Sequence, residues 1–190
     1  MRAFIAIELP QEVKNSLSHL QGKLKAAGAD VKWVAPENIH LTLKFLGEID
    51  EKKIDKITYI IEDIAKNISS FYIRVCSLGA FPKINIPRVI WVGIDKGDNE
   101  IKEIVRGLEE KIAEAGIPKK DGLFSSHITI GRMKSYLNQE RLVKDLKSMA
   151  DNLGEENLEF LSDSITLFKS ALTSKGPIYE ALKEITLKAT

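Results

Sequence analysis

Two of the three histidines in this chain stand in the same local frame, His40-Leu41-Thr42-Leu43 and His127-Ile128-Thr129-Ile130. In each, a histidine and a threonine alternate with apolar residues. An imidazole with an ordinary pKa near 6.5 can accept a proton in one copy and donate one in another at neutral pH. Two of them facing each other could therefore move two protons in one step. A threonine hydroxyl two residues on, roughly 7 Å along a strand, could donate a hydrogen bond to an oxygen on which charge builds up. That combination suits displacement at the phosphorus of a ribose cyclic phosphate. There the attacking water must lose a proton while the departing ribose oxygen gains one on the opposite side. Either frame alone would read as ordinary strand surface, and it is the repetition that points to chemistry. The third histidine, His19, serves as a control, since it has no threonine two positions on and reads as surface.

Competing chemistries lack their residues. Neither histidine has a second His or Cys at ligand spacing, and no His-Glu-x-x-His occurs, so no metal site is expected. A Gly-x-Ser-x-Gly nucleophile elbow is missing, as is any Gly-rich strand-to-helix turn of the dinucleotide or P-loop kind. The single cysteine, Cys76, lies in an apolar stretch between Val75 and Ser77 and reads as a small buried residue.

The two frames need strands to present them. With successive side chains on opposite faces, His40 and Thr42 share one face while Leu41 and Leu43 anchor the other, and the second frame repeats this with Ile128 and Ile130. Around them, Ala3 to Leu9 reads as a buried strand. Pro10 opens a helix with Val13, Leu17, Leu20 and Leu24 at helical spacing, which stops at Gly28. Val31 to Val34 is short and apolar, and Ile39 to Leu46 alternates until Gly47. Ile54, Ile57, Ile61 and Ile64 mark a second helix, followed by strands at Tyr72 to Leu78 and Val89 to Ile94. Ile101, Ile104, Val105, Leu108 and Ile112 mark a third helix, and Leu142, Leu146 and Met149 a fourth. Strands follow from Leu158 to Phe168, whereas Ile178 to Leu187 is rich enough in Glu and Lys to be a short helix or an edge strand. Such interleaving, with the frames a little under half the chain apart, implies mixed α+β lobes with approximate internal duplication.

Bulk properties set the limits. A length of 190 residues fits one domain or two small lobes sharing a core. Apolar residues make up 44% and charged residues 29%, which describes a soluble globular chain. A net charge of +1 means that an anionic ligand must be met by locally clustered charge. One cysteine excludes an intramolecular disulfide and suits a reducing compartment, and no secretion signal or membrane-spanning run is visible, so the cytoplasm is expected.

Four blocks carry a resemblance: RAFIAIELP at Arg2 to Pro10, PENIHLTLKFLGE at Pro36 to Glu48, PRVIWVGI at Pro87 to Ile94 and HITIGRMK at His127 to Lys134. With them the chain resembles, nearly end to end, the two-histidine HxTx phosphoesterases, specifically the RNA 2′,3′-cyclic phosphodiesterases, also called 2′-5′ RNA ligases. The resemblance implies an α+β fold of two pseudo-symmetric lobes around a central cleft. Each lobe would be a mainly antiparallel sheet with helices on its outer face, and residues 1–190 would form a single bilobal domain with one motif per lobe. It implies His40 as proton donor to the ribose oxygen, His127 as the base that activates water, a 2′-phosphate as product and no cofactor. It also implies that RNA ends, tRNA halves being the family's usual example, can be joined through a 2′-5′ linkage when a 5′-hydroxyl is the acceptor. A monomer acting on RNA without a membrane is expected, and a noncatalytic RNA- or nucleotide-binding module is the alternative.

Substrate phosphate contacts are assigned to Thr42, Thr129 and Arg132, the last by similarity to the family's Gly-Arg pair. A guanidinium fork suits phosphate. Strict alternation would put Arg132 on the face of Ile128 and Ile130, so reaching the cleft needs a bulge or strand end that Gly131 could permit. Lys44, on the His40 and Thr42 face by alternation, is the competing cation. Similar sequences commonly carry proline where this chain has Ser126, which restores an N–H donor and can bond locally. Trp33, Phe45, Phe81 and Phe124 lie near the motif segments, where RNA readers stack unpaired bases on aromatic rings, but core packing is the favoured reading. Lys83, Arg88, Lys119 and Lys120 fall in apparent loops and could follow the RNA backbone, but are read as surface charge.

Overall fold

The computed structural model describes residues 1–150, 158–174 and 176–189. The chain runs β1 (Arg2–Glu8), α1 (Gln11–Lys25), β2 (Val31–Trp33), β3 (His40–Glu48), α2 (Ile54–Ala65), β4 (Phe71–Lys83), β5 (Ile86–Ile94), α3 (Asp98–Glu114), β6 (His127–Met133) and α4 (Gln139–Ala150). It closes with β7 (Leu158–Ser162), β8 (Ser164–Thr173) and β9 (Gly176–Thr186). The helices form where apolar residues recur every three or four positions, and those residues are buried. In α1 they are Val13, Leu17, Leu20 and Leu24, in α3 Ile101, Ile104, Val105, Leu108 and Ile112. Past the end of α1, Gly28 adopts a φ of 67°, a left-handed turn that glycine takes without steric cost.

The strands make two sheets, in the orders β3-β1-β8-β9 and β2-β6-β5-β4-β7, with all neighbours antiparallel. This is the expected α+β architecture of two antiparallel sheets with helices. Laid side by side, the two orders match: β3 with β6, β1 with β5, β8 with β4 and β9 with β7, leaving β2 without a counterpart. The sheets are not simply the two halves of the sequence. β4 comes before the midpoint yet sits in the sheet of β6, while β8, from near the end, pairs with β1. The segment Ile178 to Leu187 resolves as the edge strand β9, paired with β8 from Ser164↔Thr186 to Thr173↔Gly176, and its Glu and Lys residues suit an edge open to water. Lys83 and Arg88, expected on loops, end β4 and lie within β5.

One continuous apolar core joins the helices to both sheets, and Ile5, Leu17, Leu41, Ile61, Ile104 and Ile128 are wholly buried in it. Each such side chain contributes roughly 1.5–3 kcal/mol over its exposed state. Leu41, Leu43, Ile128 and Ile130 all point into this core, so their polar neighbours must point out of it. Among the described residues no helix is long and apolar enough to cross a membrane.

Candidate active site

His40 opens β3 and His127 opens β6, and both side chains, with Thr42 and Thr129, line a single cleft of about 340 Å³ between the sheets. Each imidazole is fixed in the same way. His40 Nδ1 lies 2.7 Å from the carbonyl oxygen of Asn38, and His127 Nδ1 lies 2.7 Å from that of Ser125, in both cases two residues earlier. A carbonyl only accepts, so each Nδ1 carries a proton and each Nε2 is left to exchange one. His40 Nε2 meets the Thr42 hydroxyl at 2.9 Å.

Aromatic rings hold the imidazoles from the sides. Phe4 lies 4.8 Å and Tyr179 5.3 Å, centroid to centroid, from His40. Phe81 lies 5.0 Å from His127, edge to face, with Trp91 beyond it at 6.5 Å. Burial among these rings pushes the pKa of both histidines below 6.5, because an imidazolium loses hydration there. The carbonyl hydrogen bonds oppose this shift in both. The surrounding charges differ: Lys120 and Arg132 add to the lowering at His127, whereas at His40 the lowering by Lys14 is offset in part by Glu8. Those two groups form their own ion pair, with Lys14 Nζ 3.1 Å from Glu8.

Both motif strands bulge at the same place. Along β3, Thr42 pairs with Ala6 and Lys44 with Ile5, so Leu43 is skipped. Along β6, Thr129 pairs with Trp91 and Gly131 with Ile90, so Ile130 is skipped. The extra residue reverses the alternation three positions after each histidine. It carries Arg132 into the cleft beside His127 and Thr129, and Phe45, its equivalent in β3, into the cleft beside His40 and Thr42. Lys44 still borders the cleft, but its ammonium group is engaged elsewhere. It is buried, with Nζ 2.6 Å from Glu109 Oε2 of α3 and 3.3 Å from the carbonyl of Pro118. Arg132 is exposed and makes no ion pair with a described residue, so it is a cation open to a ligand.

The bulge on β6 is tied down from below. Gln21 of α1, 1% exposed, donates through Nε2 to the carbonyls of Val34 and Ile130, both at 2.8 Å, and Val34 N–H donates to Ile130 as well. Asn38 links the other histidine to β9, its Nδ2 donating to the carbonyl of Pro177 at 2.9 Å. Sequence reading missed Gln21, Asn38, Phe4 and Tyr179. A buried glutamine on the apolar stripe of α1 was the one visible signal, since an unpaired polar group there would be costly.

The aromatic residues divide. Phe45, 63% exposed, and Phe81 line the cleft instead of the core, whereas Phe124 and Trp33 pack against the core as expected and also border the cleft and an adjoining cavity respectively. Lys120 also reaches the cleft. Ser126 is buried, and its hydroxyl faces the Asp98 carboxylate of α3 without a well-formed hydrogen bond, so its expected local bond does not form. Cys76 on β4 is half-buried, and burial raises its thiol pKa, which leaves it a poor nucleophile. Among the described residues, no three His, Cys, Asp or Glu side chains gather as a metal site would require.

A family model described as LigT like phosphoesterase matches residues 7–91 and again 92–179. The RNA 2′,3′-cyclic phosphodiesterase of Methanocaldococcus jannaschii is 37% identical over 185 residues, covering 97% of this chain and 99% of its own length. That of Thermotoga maritima is 36% identical, covering 97% and 94%. Among solved structures, TT0787 of Thermus thermophilus superposes with a TM-score of 0.80 at 27% identity, over 100% of this chain and 99% of the other. E. coli LigT complexed with 3′-AMP shares the fold at a TM-score of 0.79 and 23% identity, over 98% and 97%.

Proposed function

This chain belongs to the LigT-like phosphoesterase family, and from that premise we propose that it hydrolyses RNA 2′,3′-cyclic phosphate ends to 2′-phosphomonoesters, with His40 as acid and His127 as base. The observation that carries this reading is the duplicated fixation of the two imidazoles, each Nδ1 bound to a carbonyl two residues earlier and each Nε2 turned to one cleft.

In the reaction, neutral His127 takes a proton from water at Nε2 as the water oxygen attacks phosphorus. The bond from phosphorus to O3′ breaks on the far side, and His40 Nε2–H supplies the proton that O3′ needs to leave as a hydroxyl. The phosphate stays on O2′. Burial and the cations beside His127 favour its neutral form, as a base requires, whereas at His40 the lowering by burial and Lys14 is opposed by the Asn38 carbonyl and by Glu8, a carboxylate counterweight that His127 lacks. Thr42, Thr129 and Arg132 face the non-bridging oxygens, where charge accumulates. With a 5′-hydroxyl in place of water, the same proton transfers would join two RNA ends through a 2′-5′ linkage. The arrangement suits an RNA terminus in a monomer, and residues 1–190 act as one bilobal unit.

The test is incubation of an oligonucleotide ending in a 2′,3′-cyclic phosphate, in excess chelator, followed by identification of the product. A 2′-phosphate is expected, with kcat/KM falling by about 10² to 10⁴ in His40→Ala and in His127→Ala. Undiminished hydrolysis in either variant, or a 3′-phosphate product, would overturn the assignment. Tight binding without turnover would favour a noncatalytic RNA-binding module.

A further inference from the structure

The matching of the two sheets leaves β2 over, and β2 carries features that the hydrolytic step does not use. Its Lys32 stands directly opposite Arg132 in the pairing of β2 with β6, both exposed. Cross-strand partners share a face of the sheet, and like charges so placed repel each other. Neither makes an ion pair or a side-chain hydrogen bond with a described residue. Both line a second cavity, of about 380 Å³, which adjoins the catalytic cleft and shares Val34, Asn38, Arg132 and Tyr179 with it. An anion between the two cations would relieve their repulsion.

Much of the remaining wall is apolar. Trp33 forms one side, and Pro177 with Ile178, 60% exposed, forms another. Glu37 contributes a single carboxylate, so the lining holds two cations against one acid. Gly131 is what allows the tryptophan to sit there. A Cβ at that position would lie 2.9 Å from Val31 Cγ1 and 3.0 Å from Trp33 Cε3, too close for β2 to pack on the bulge.

We propose that this cavity binds the nucleotide immediately 5′ to the one bearing the cyclic phosphate. Its base lies against Trp33 and Ile178, and the connecting phosphodiester lies between Lys32 and Arg132. Stacking on an aromatic face tolerates every base, so the preference is for chain length and not for sequence. The proposal rests on the hydrolytic reading above and makes the substrate an RNA end of two or more nucleotides rather than a cyclic mononucleotide.

Two measurements on the full chain decide it: kcat/KM for a dinucleotide and a mononucleotide with 2′,3′-cyclic phosphate ends, and calorimetric binding of the corresponding 2′-phosphates. The dinucleotide is expected to lead by about tenfold or more in both, the scale of one stacked base. Lys32→Gln and Ile178→Asp, both at exposed positions, are expected to remove most of that lead and leave the mononucleotide values unchanged. Equal values for the two ligands would overturn the proposal, as would variants that weaken the mononucleotide to the same degree, which would give the cavity to the terminal base. Tighter dinucleotide binding without hydrolysis of either substrate would uphold the subsite and overturn the hydrolytic reading. Hydrolysis of both at equal rates would do the reverse.

Discussion

Burial acts on both histidines in one direction, and the consequence differs for activity and for stability. In the proposed reaction the acid must be charged and the base neutral. With both pKa values lowered, the charged acid becomes scarce as pH rises, and kcat/KM is expected to peak on the acid side of 6.5 and to fall toward alkaline pH. A maximum well above 6.5 would contradict the burial argument. Stability runs the other way. The folded state binds fewer protons than the unfolded chain between the lowered and the ordinary pKa, so the histidine contribution is present above 6.5 and is lost as pH falls below it. His40→Gln is therefore expected to lose less Tm than the parent between about pH 7.5 and 5.5. Thermal melts at the two pH values check this, and an equal loss would mean that His40 titrates as it does in the unfolded chain. The histidines, the threonines and the apolar residues between them were legible because strand alternation ties residue type to face. Their aromatic holders were not, since Phe4, Phe81 and Tyr179 come from strands that only the tertiary pairing brings alongside.

At the level of elements, the bulge in each motif strand decides which cation serves the cleft. Alternation read from the sequence is right as far as Leu43 and Ile130 and fails at the next residue, because the inserted residue is fixed by pairing with β1 and β5 and leaves no mark in the hydrophobic pattern. Lys44 is thereby committed to Glu109, and Arg132 is released to the cleft. Gln21 is the fastening of the β6 bulge. Gln21→Leu keeps the side chain's bulk, removes both hydrogen bonds and leaves the carbonyl of Val34 without this donor inside the protein. A loss of about 1–3 kcal/mol is expected, or about 2–4 °C in Tm per kcal/mol for a chain of this size. Differential scanning calorimetry gives the answer, and an unchanged Tm would show that the bulge holds without Gln21.

Across the whole molecule, the exchange of β4 and β8 between halves has a mechanical result. Neither sheet can be completed by one half of the sequence, and the main apolar core runs through both. Unfolding is expected to be one cooperative transition, coincident by far-ultraviolet circular dichroism and tryptophan fluorescence. Two separated transitions would show that the lobes are independent. The amino-acid sequence by itself determined the two matched His-x-Thr frames, the positions of the helices and the α+β class, because each rests on short-range periodicity and on residue chemistry. Tertiary structure alone decided that β2 would add an asymmetric wall, that Tyr179 would close on His40, and that Arg132 would stand exposed at the cleft while Lys44 is tied to Glu109. The physical reason is that register, bulges and strand order arise from pairings between residues far apart in the chain, which no local pattern encodes.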